Sequence, residues 1–192
     1  MTQKTYSARK ILHPAFVCFL FAITVIWVMA GQTPERSVGI ENFGKINDNY
    51  YRGGQLRQTE LLQLKKLGVK TVIDLRRDSE PKEPEWVRSS GMRYFNIPLQ
   101  SSRPASAEQT AYFLSLVNDA QNWPVYVHCK GGRHRTGAMT AIYRITHDRW
   151  TADQAYREMK EYDFNHGILG GPAAQKNYVY SFYQNYSQRP GR

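Results

Sequence analysis

The sequence has only two cysteines in 192 residues, Cys18 and Cys129, and this scarcity excludes a disulfide scaffold as the source of its stability. Cys18 lies in an apolar N-terminal run, so the remainder of the chain carries one thiol without a partner, and Cys129 calls for a chemical explanation. Internal repeats and low-complexity tracts are missing, which sets aside solenoids and compositionally biased linkers. Long basic runs and basic-aromatic repeats are missing too. The formal charge of +10 therefore favours an anionic partner, with no nucleic acid expected.

A chain of this length fits one ordinary domain. Its first thirty residues stand apart: Lys4, Arg9 and Lys10 precede an uncharged apolar run from Ala15 to Ala30, and no acidic residue occurs before Glu35. Residues 1–30 are expected to be a signal peptide or an N-terminal membrane anchor, residues 31–37 a polar linker, and residues 38–188 a single domain. Basic residues ahead of an apolar run stay on the cytoplasmic side, so the domain is expected to be extracytoplasmic, either periplasmic or secreted, or tethered to the membrane by the N-terminal segment alone. Without the three leader cations the charge is +7.

Beyond the linker, strand-like and helix-like periods alternate. Ile40 to Gln55 reads as a hairpin turning at Asn47-Asp48-Asn49. Thr59 is expected to cap a helix that turns Leu61, Leu62, Leu64 and Leu67 inward and closes at Gly68. Val69 to Leu75 reads as a strand, Pro81 to Ser90 as a short helix, Met92 to Ile97 as a strand and Pro98 to Ala105 as a polar loop. Ser106 with Gln109 forms a capping box for a helix to about Asn122, and Val125 to His128 is a buried strand. A helix follows from Arg135 or Thr136, another from the capping box Thr151 and Gln154 to about Tyr162, then a turn over Gly167 to Gly171 and a last helix opened by Pro172. The pattern predicts an α/β fold: a three-layer sandwich with a central, mainly parallel sheet flanked by helices.

The segment His128-Cys129-Lys130-Gly131-Gly132-Arg133-His134-Arg135-Thr136-Gly137 carries the chemistry. A buried strand, a glycine loop and a helix start can turn several backbone N–H groups on one phosphate and add the positive end of the helix dipole. Gly131 and Gly132 permit positive φ and close backbone approach. Cys129 would lie in that field, which favours the nucleophilic thiolate. Arg135 offers a planar fork for two phosphate oxygens, which a lysine could not supply. Thr136 can aim a hydroxyl at the sulfur, and His128 can steady the loop from behind. Lys130, Arg133 and His134 complete a cationic binding loop suited to a phosphorylated, highly anionic substrate.

Cys129, five residues and Arg135-Thr136-Gly137, preceded by Val127-His128, resemble the signature of the protein tyrosine phosphatase superfamily. Tyr51-Arg52-Gly53-Gly54-Gln55, the strand Thr71 to Arg76, Asn96-Ile97-Pro98 and Trp150 extend the resemblance to bacterial dual-specificity phosphatases and to the atypical plant and fungal group, over about Phe43 to Tyr162. The resemblance implies a cysteine nucleophile, a phosphocysteine intermediate, no metal and no cofactor. It also implies a general-acid Asp on the loop before the cysteine strand, and here the sequence departs: no Asp occurs between Asp78 and Asp119. The proton donor is unassigned, with Glu108 and Asp163 as substitutes, and a substrate whose leaving group needs no proton is the other way out. A phosphate-binding pseudophosphatase is the alternative function. A rhodanese-like sulfurtransferase is disfavoured by the His before and the Arg-Thr-Gly after Cys129. The physiological substrate and the oligomeric state stay open. Mass measurement of the mature protein is expected to find Gly31 at its N-terminus; a retained residue 1–30 segment would identify an anchor instead.

Overall fold

A computed structural model describes Met1, residues 39–165 and residues 171–189. The leader beyond Met1, the 31–37 linker and the turn expected over Gly167 to Gly171, apart from Gly171 itself, lie outside the described residues. Among the described residues no helix is long and apolar enough to cross a membrane.

The chain runs β1 (Gly44–Asn47), β2 (Tyr50–Gly53), α1 (Leu61–Lys66), β3 (Thr71–Arg76), α2 (Glu83–Ser89), β4 (Arg93–Leu99), α3 (Ala107–Asn118), β5 (Val125–His128), α4 (His134–His147), α5 (Ala152–Glu161) and α6 (Gly171–Ser187). One five-stranded sheet has the order β1-β2-β5-β3-β4. β5 is parallel to both its neighbours and β3 is parallel to β4, while β1 closes one edge antiparallel to β2. Because β5 enters between two earlier strands, its C-terminal end opens where connections leave in opposite directions, the usual place for a ligand crevice in such sheets.

Alternation along the strands makes the layers. Val125 and Val127 join Ile73, Leu75 and Leu99 against Phe113 and Val117 of α3 and Met139 and Tyr143 of α4. Tyr126 and Val72 face the other way, against Leu61 and Leu64 of α1 and Val87 of α2. The far side of α4 packs Ala138, Ala141 and Ile145 on Ala155 and Met159 of α5 and Val179 of α6. Being covered on both sides, α4 is buried without a break from Arg135 to Tyr143, which is why a helix rich in Gly, Ala and Thr suits that place.

The expected α/β sandwich is present, and its departures from the sequence reading have local causes. Thr59 does not cap α1: it lies inside a 3-10 turn over Gln58–Glu60, started by Glu60, whose carboxylate accepts the Arg57 N–H at 2.8 Å. Within α1, Leu61 and Leu64 share the buried face at i,i+3 spacing, while Leu62, about 100° further round, is left 62% exposed. α3 ends at Asn118, because extended Asp119 takes the Gln121 N–H and starts a 3-10 turn over Ala120–Asn122. β4 runs on through Pro98 to Leu99. As an edge strand it tolerates a proline, and the Asn96 amide donates to the Asp74 and Arg76 carbonyls where the register shifts.

Beneath the end of β5, on the α1 and α2 face, lies a buried charge cluster. Arg76 donates from Nε and Nη2 to the two oxygens of Asp74 at 2.9 and 2.8 Å and also pairs with Glu83. Tyr94 donates its hydroxyl to Asp74 at 2.9 Å. His128 Nε2 stands 3.0 Å from Glu83 Oε1, at ion-pair distance but off hydrogen-bond alignment. Burial pushes the Asp74 carboxyl up, yet hydrogen bonds from Arg76 and the charges of His128 and Arg76 outweigh it and hold the group below its ordinary value. Stability from this carboxylate is therefore present above about pH 4 and is lost as pH falls through its lower native value. Asp74→Asn and Glu83→Gln are each expected to lower the unfolding free energy by about 1.5–3 kcal/mol in urea titrations, since each removes one of the two carboxylates that share the buried Arg76 guanidinium. Below about pH 4 the Asp74→Asn variant should lose stability less steeply than the wild type.

Candidate active site

β5 delivers Cys129, only 3% exposed, to the start of a loop that ends in the first turn of α4. Three successive carbonyls of this loop are held from outside by the segment around β2. Lys130 O accepts the Gln55 N–H at 2.9 Å, Gly131 O accepts Asn42 Nδ2 at 2.8 Å, and Gly132 O accepts the Arg52 guanidinium. In a planar trans peptide the N–H points opposite the carbonyl, so the amides of Gly131, Gly132 and Arg133 turn to the inside of the loop. Together with the free N–H groups of the α4 start they form an anion cradle around the thiol.

The two glycines differ. Gly132 has φ +66, and a Cβ there would lie 2.6 Å from the Gly53 carbonyl carbon. Gly131 has no positive φ, and a Cβ on it would meet nothing nearer than 3.6 Å. The conformational demand expected of both thus falls on Gly132, because only there do two backbone segments touch.

A cleft of about 840 Å³ opens over the loop. Cys129, Lys130, Gly131, Arg133, His134 and Arg135 line it, Gly132 does not, and they are joined by Glu41, Arg77, Asp78, Leu99 and residues 100–102. Arg135 is buried, with Nη1 donating to Leu99 O at 3.2 Å and lying 3.7 Å from Asp78 Oδ1. Lys130 is exposed at the rim. Arg133 is not a free cation, because it pairs with Glu41. His134 is not cationic either: burial, then the charges of Arg133 and Arg135, push its imidazole down against an opposing backbone hydrogen bond at Asn165. The loop's positive charge is thus carried by Lys130 and Arg135 more than by all four residues expected.

Thr136 is fully buried, and its hydroxyl makes no hydrogen bond, so the expected contact with the sulfur is not formed. The residue sits in the first turn of α4, where its side chain is fixed by packing. His128 stands behind the loop as expected, with Nδ1 3.4 Å from Cys129 O. Neither substitute acid is in the cleft. Glu108 is exposed at the start of α3, where a hydrogen bond from Ser106 pulls its carboxyl below the ordinary value and so favours the charged form. Asp163 lines a separate surface hollow with Asn42, Phe43 and Tyr162. A metal is not suited to Asp74, Glu83 and His128, the one group of potential ligands among the described residues, because Arg76 already occupies both carboxylates.

Arg52 was quoted from the sequence without a role. It is fully buried, stacks 4.0 Å over the Tyr162 ring and has no carboxylate partner among the described residues; its Nε and Nη1 make no hydrogen bond. Asn42, Gln55, Glu83, Arg77, Glu41 and Asp78 were missed. The doublet Gly53-Gly54 was the available signal for the first of these, since the close approach of two loops needs such residues; nothing pointed to the others.

A cysteine loop between a buried parallel strand and a helix, closed by an arginine, is the arrangement that the resemblance to protein tyrosine and dual-specificity phosphatases led us to expect. A family model described as "DSP-PTPase phosphatase fused to NAD+ Kinase" matches residues 35–177, and the chain belongs to that family. Dual specificity protein phosphatase TpbA of Pseudomonas aeruginosa is 28% identical over 123 residues, which cover 64% of this chain and 55% of TpbA. Inositol diphosphatase DSP4 of Arabidopsis thaliana is 25% identical over 126 residues, 63% of each chain. The match thus spans little more than half the length of TpbA. The catalytic core of the PP-IP phosphatase Siw14 from S. cerevisiae superposes with a TM-score of 0.65 at 19% identity, over 78% of this chain and 93% of that one. TpbA in complex with pTyr gives 0.65 at 22% identity, over 82% and 96%. At these identities the structural likeness concerns the fold.

Gly132→Ala should displace the loop from Gly53 and weaken vanadate binding by about tenfold or more, measured calorimetrically, since a Cβ in left-handed backbone alone costs about 1–2 kcal/mol. Gly131→Ala is expected to stay within a few-fold of the wild type.

Proposed function

We propose that this chain is a cysteine-dependent phosphatase that hydrolyses phosphate monoesters through a phosphocysteine intermediate. The observation that carries the reading is the loop whose three outward-held carbonyls leave its amides facing the buried Cys129, with Arg135 at its mouth. In this reading a phosphate sits in the cradle, the Cys129 thiolate attacks phosphorus, and the Arg135 fork follows the oxygens as the group flattens in transfer. No cofactor is called on.

The substrate class follows from the cleft. Its volume of about 840 Å³ exceeds the needs of one phosphate, and Arg77 and Lys130 line it beside Arg135. This supports a substrate with several negative charges: an inositol phosphate, a lipid phosphate or a phosphoprotein. Relatives named for inositol diphosphatase activity and a related structure holding phosphotyrosine agree with that range. With residues 1–30 read as an export signal or anchor, the substrate would be met outside the cytoplasm.

Phosphate release from a phosphotyrosine peptide and from polyphosphorylated inositols is expected, with inhibition by vanadate and complete loss in Cys129→Ser. Activity surviving that substitution would sink the proposal. Tight binding of the phosphorylated ligands by the wild type without any release would favour a phosphate-binding pseudophosphatase.

A further inference from the structure

The stretch from Gln100 to Ala105 offers no carboxyl group, and the residues it sends into the cleft are Gln100, Ser101 and Ser102. Expelling an alkoxide or phenoxide from phosphorus requires a proton, and the donor has to stand on the open side of the bound phosphate, away from the attacking sulfur. Two carboxylates line the cleft, Glu41 and Asp78. Glu41 is engaged by Arg133. Asp78 stands on the connection between β3 and α2, its side chain 80% exposed at the cleft mouth, and among the described residues it makes no hydrogen bond. Its one charge contact is with Nη1 of Arg135, at 3.7 Å.

We propose that Asp78 is the proton donor to the leaving group. The assignment rests on the phosphatase reading above and deepens it. Arg135 places the two events side by side: the guanidinium that would take the phosphate oxygens stands 3.7 Å from the Asp78 carboxylate at the same mouth of the cleft. In the first step the Cys129 sulfur forms a bond to phosphorus, the bond from phosphorus to the ester oxygen breaks with its electron pair on oxygen, and that oxygen takes the Asp78 proton to leave as the alcohol. In the second step the Asp78 carboxylate accepts a proton from water as the water oxygen bonds to phosphorus and the phosphorus–sulfur bond breaks with its electron pair on sulfur. Phosphate departs, and the thiolate and the carboxylic acid are restored. Exposure suits the role, because the group must exchange protons with solvent and meet leaving groups of different shape.

The test is the dependence of rate on the leaving group, measured with the full chain on phenyl phosphate and p-nitrophenyl phosphate. Asp78→Asn is expected to lower kcat/KM for phenyl phosphate by about 10²-fold or more, because phenoxide leaves badly without a proton. For p-nitrophenyl phosphate, whose leaving group is already acidic, the expected loss is no more than about tenfold. The alkaline decline of kcat/KM in the wild type should flatten in the variant. Asp163→Asn and Glu108→Gln, both outside the cleft, should keep the wild-type ratio between the two substrates. An equal loss on both substrates with the pH profile unchanged would assign Asp78 a structural role and overturn the proposal, while leaving the Cys129 chemistry intact. A wild type that hydrolyses polyphosphorylated inositols but neither ester overturns the Asp78 assignment alone, and one that releases phosphate from none of these overturns both readings.

Discussion

Three consecutive peptide carbonyls, those of Lys130, Gly131 and Gly132, are gripped from behind by Gln55, Asn42 and Arg52, and the active-site loop owes its shape to that grip. A five-residue loop between a strand and a helix has many accessible conformations, and ordering it opposes folding by roughly 1–2 kcal/mol per residue. The three outward bonds select the one conformation in which successive amides converge. They also satisfy carbonyls that the crowded meeting with Gly53 and Gly54 would otherwise leave unpaired. Loop and cradle are therefore one structure seen from two sides.

Behind the cradle, the cluster of Asp74, Arg76, Glu83 and His128 does for the end of β5 what the β2 segment does for the loop. Arg76 binds Asp74 in its own strand and Glu83 at the start of α2, and His128 adds the last residue of β5 to the same charges. The sheet end, the helix start and the residue preceding Cys129 are thus tied by deeply buried charged groups that share one another as partners. The position of Cys129 relative to the sheet is set by that constraint, and its position relative to the anion by the outward carbonyl bonds.

The sandwich, the order of its elements and the cysteine loop were legible in the sequence because each rests on a local pattern: capping boxes at Ser106 and Thr151, a buried four-residue strand, and glycines ahead of an arginine at a helix start. Leu62 misled because in a run of adjacent leucines only those at i,i+3 spacing, Leu61 and Leu64, can share the buried face of α1. What the local pattern could not show were pairings across the sheet. Arg52 lies 80 residues from Gly132 and Asn42 lies 89 from Gly131, so neither leaves a mark in its own neighbourhood. The presence of Asp78 in the cleft depends likewise on how the β3 to α2 connection folds back toward α4, and Glu41 disarms Arg133 across a comparable span.

The burial of Arg52 without a carboxylate partner sets the domain a condition. A guanidinium that carries its charge into the interior is tolerable only once the carbonyl of Gly132 and the face of Tyr162 are there to receive it, and those partners come from the two later thirds of the described domain. Contacts of such high sequence separation must overcome the loop-closure entropy of the chain between them. A chain in which those two partners are not in place would hold Cys129 without its cradle. The cradle belongs to the completed fold alone.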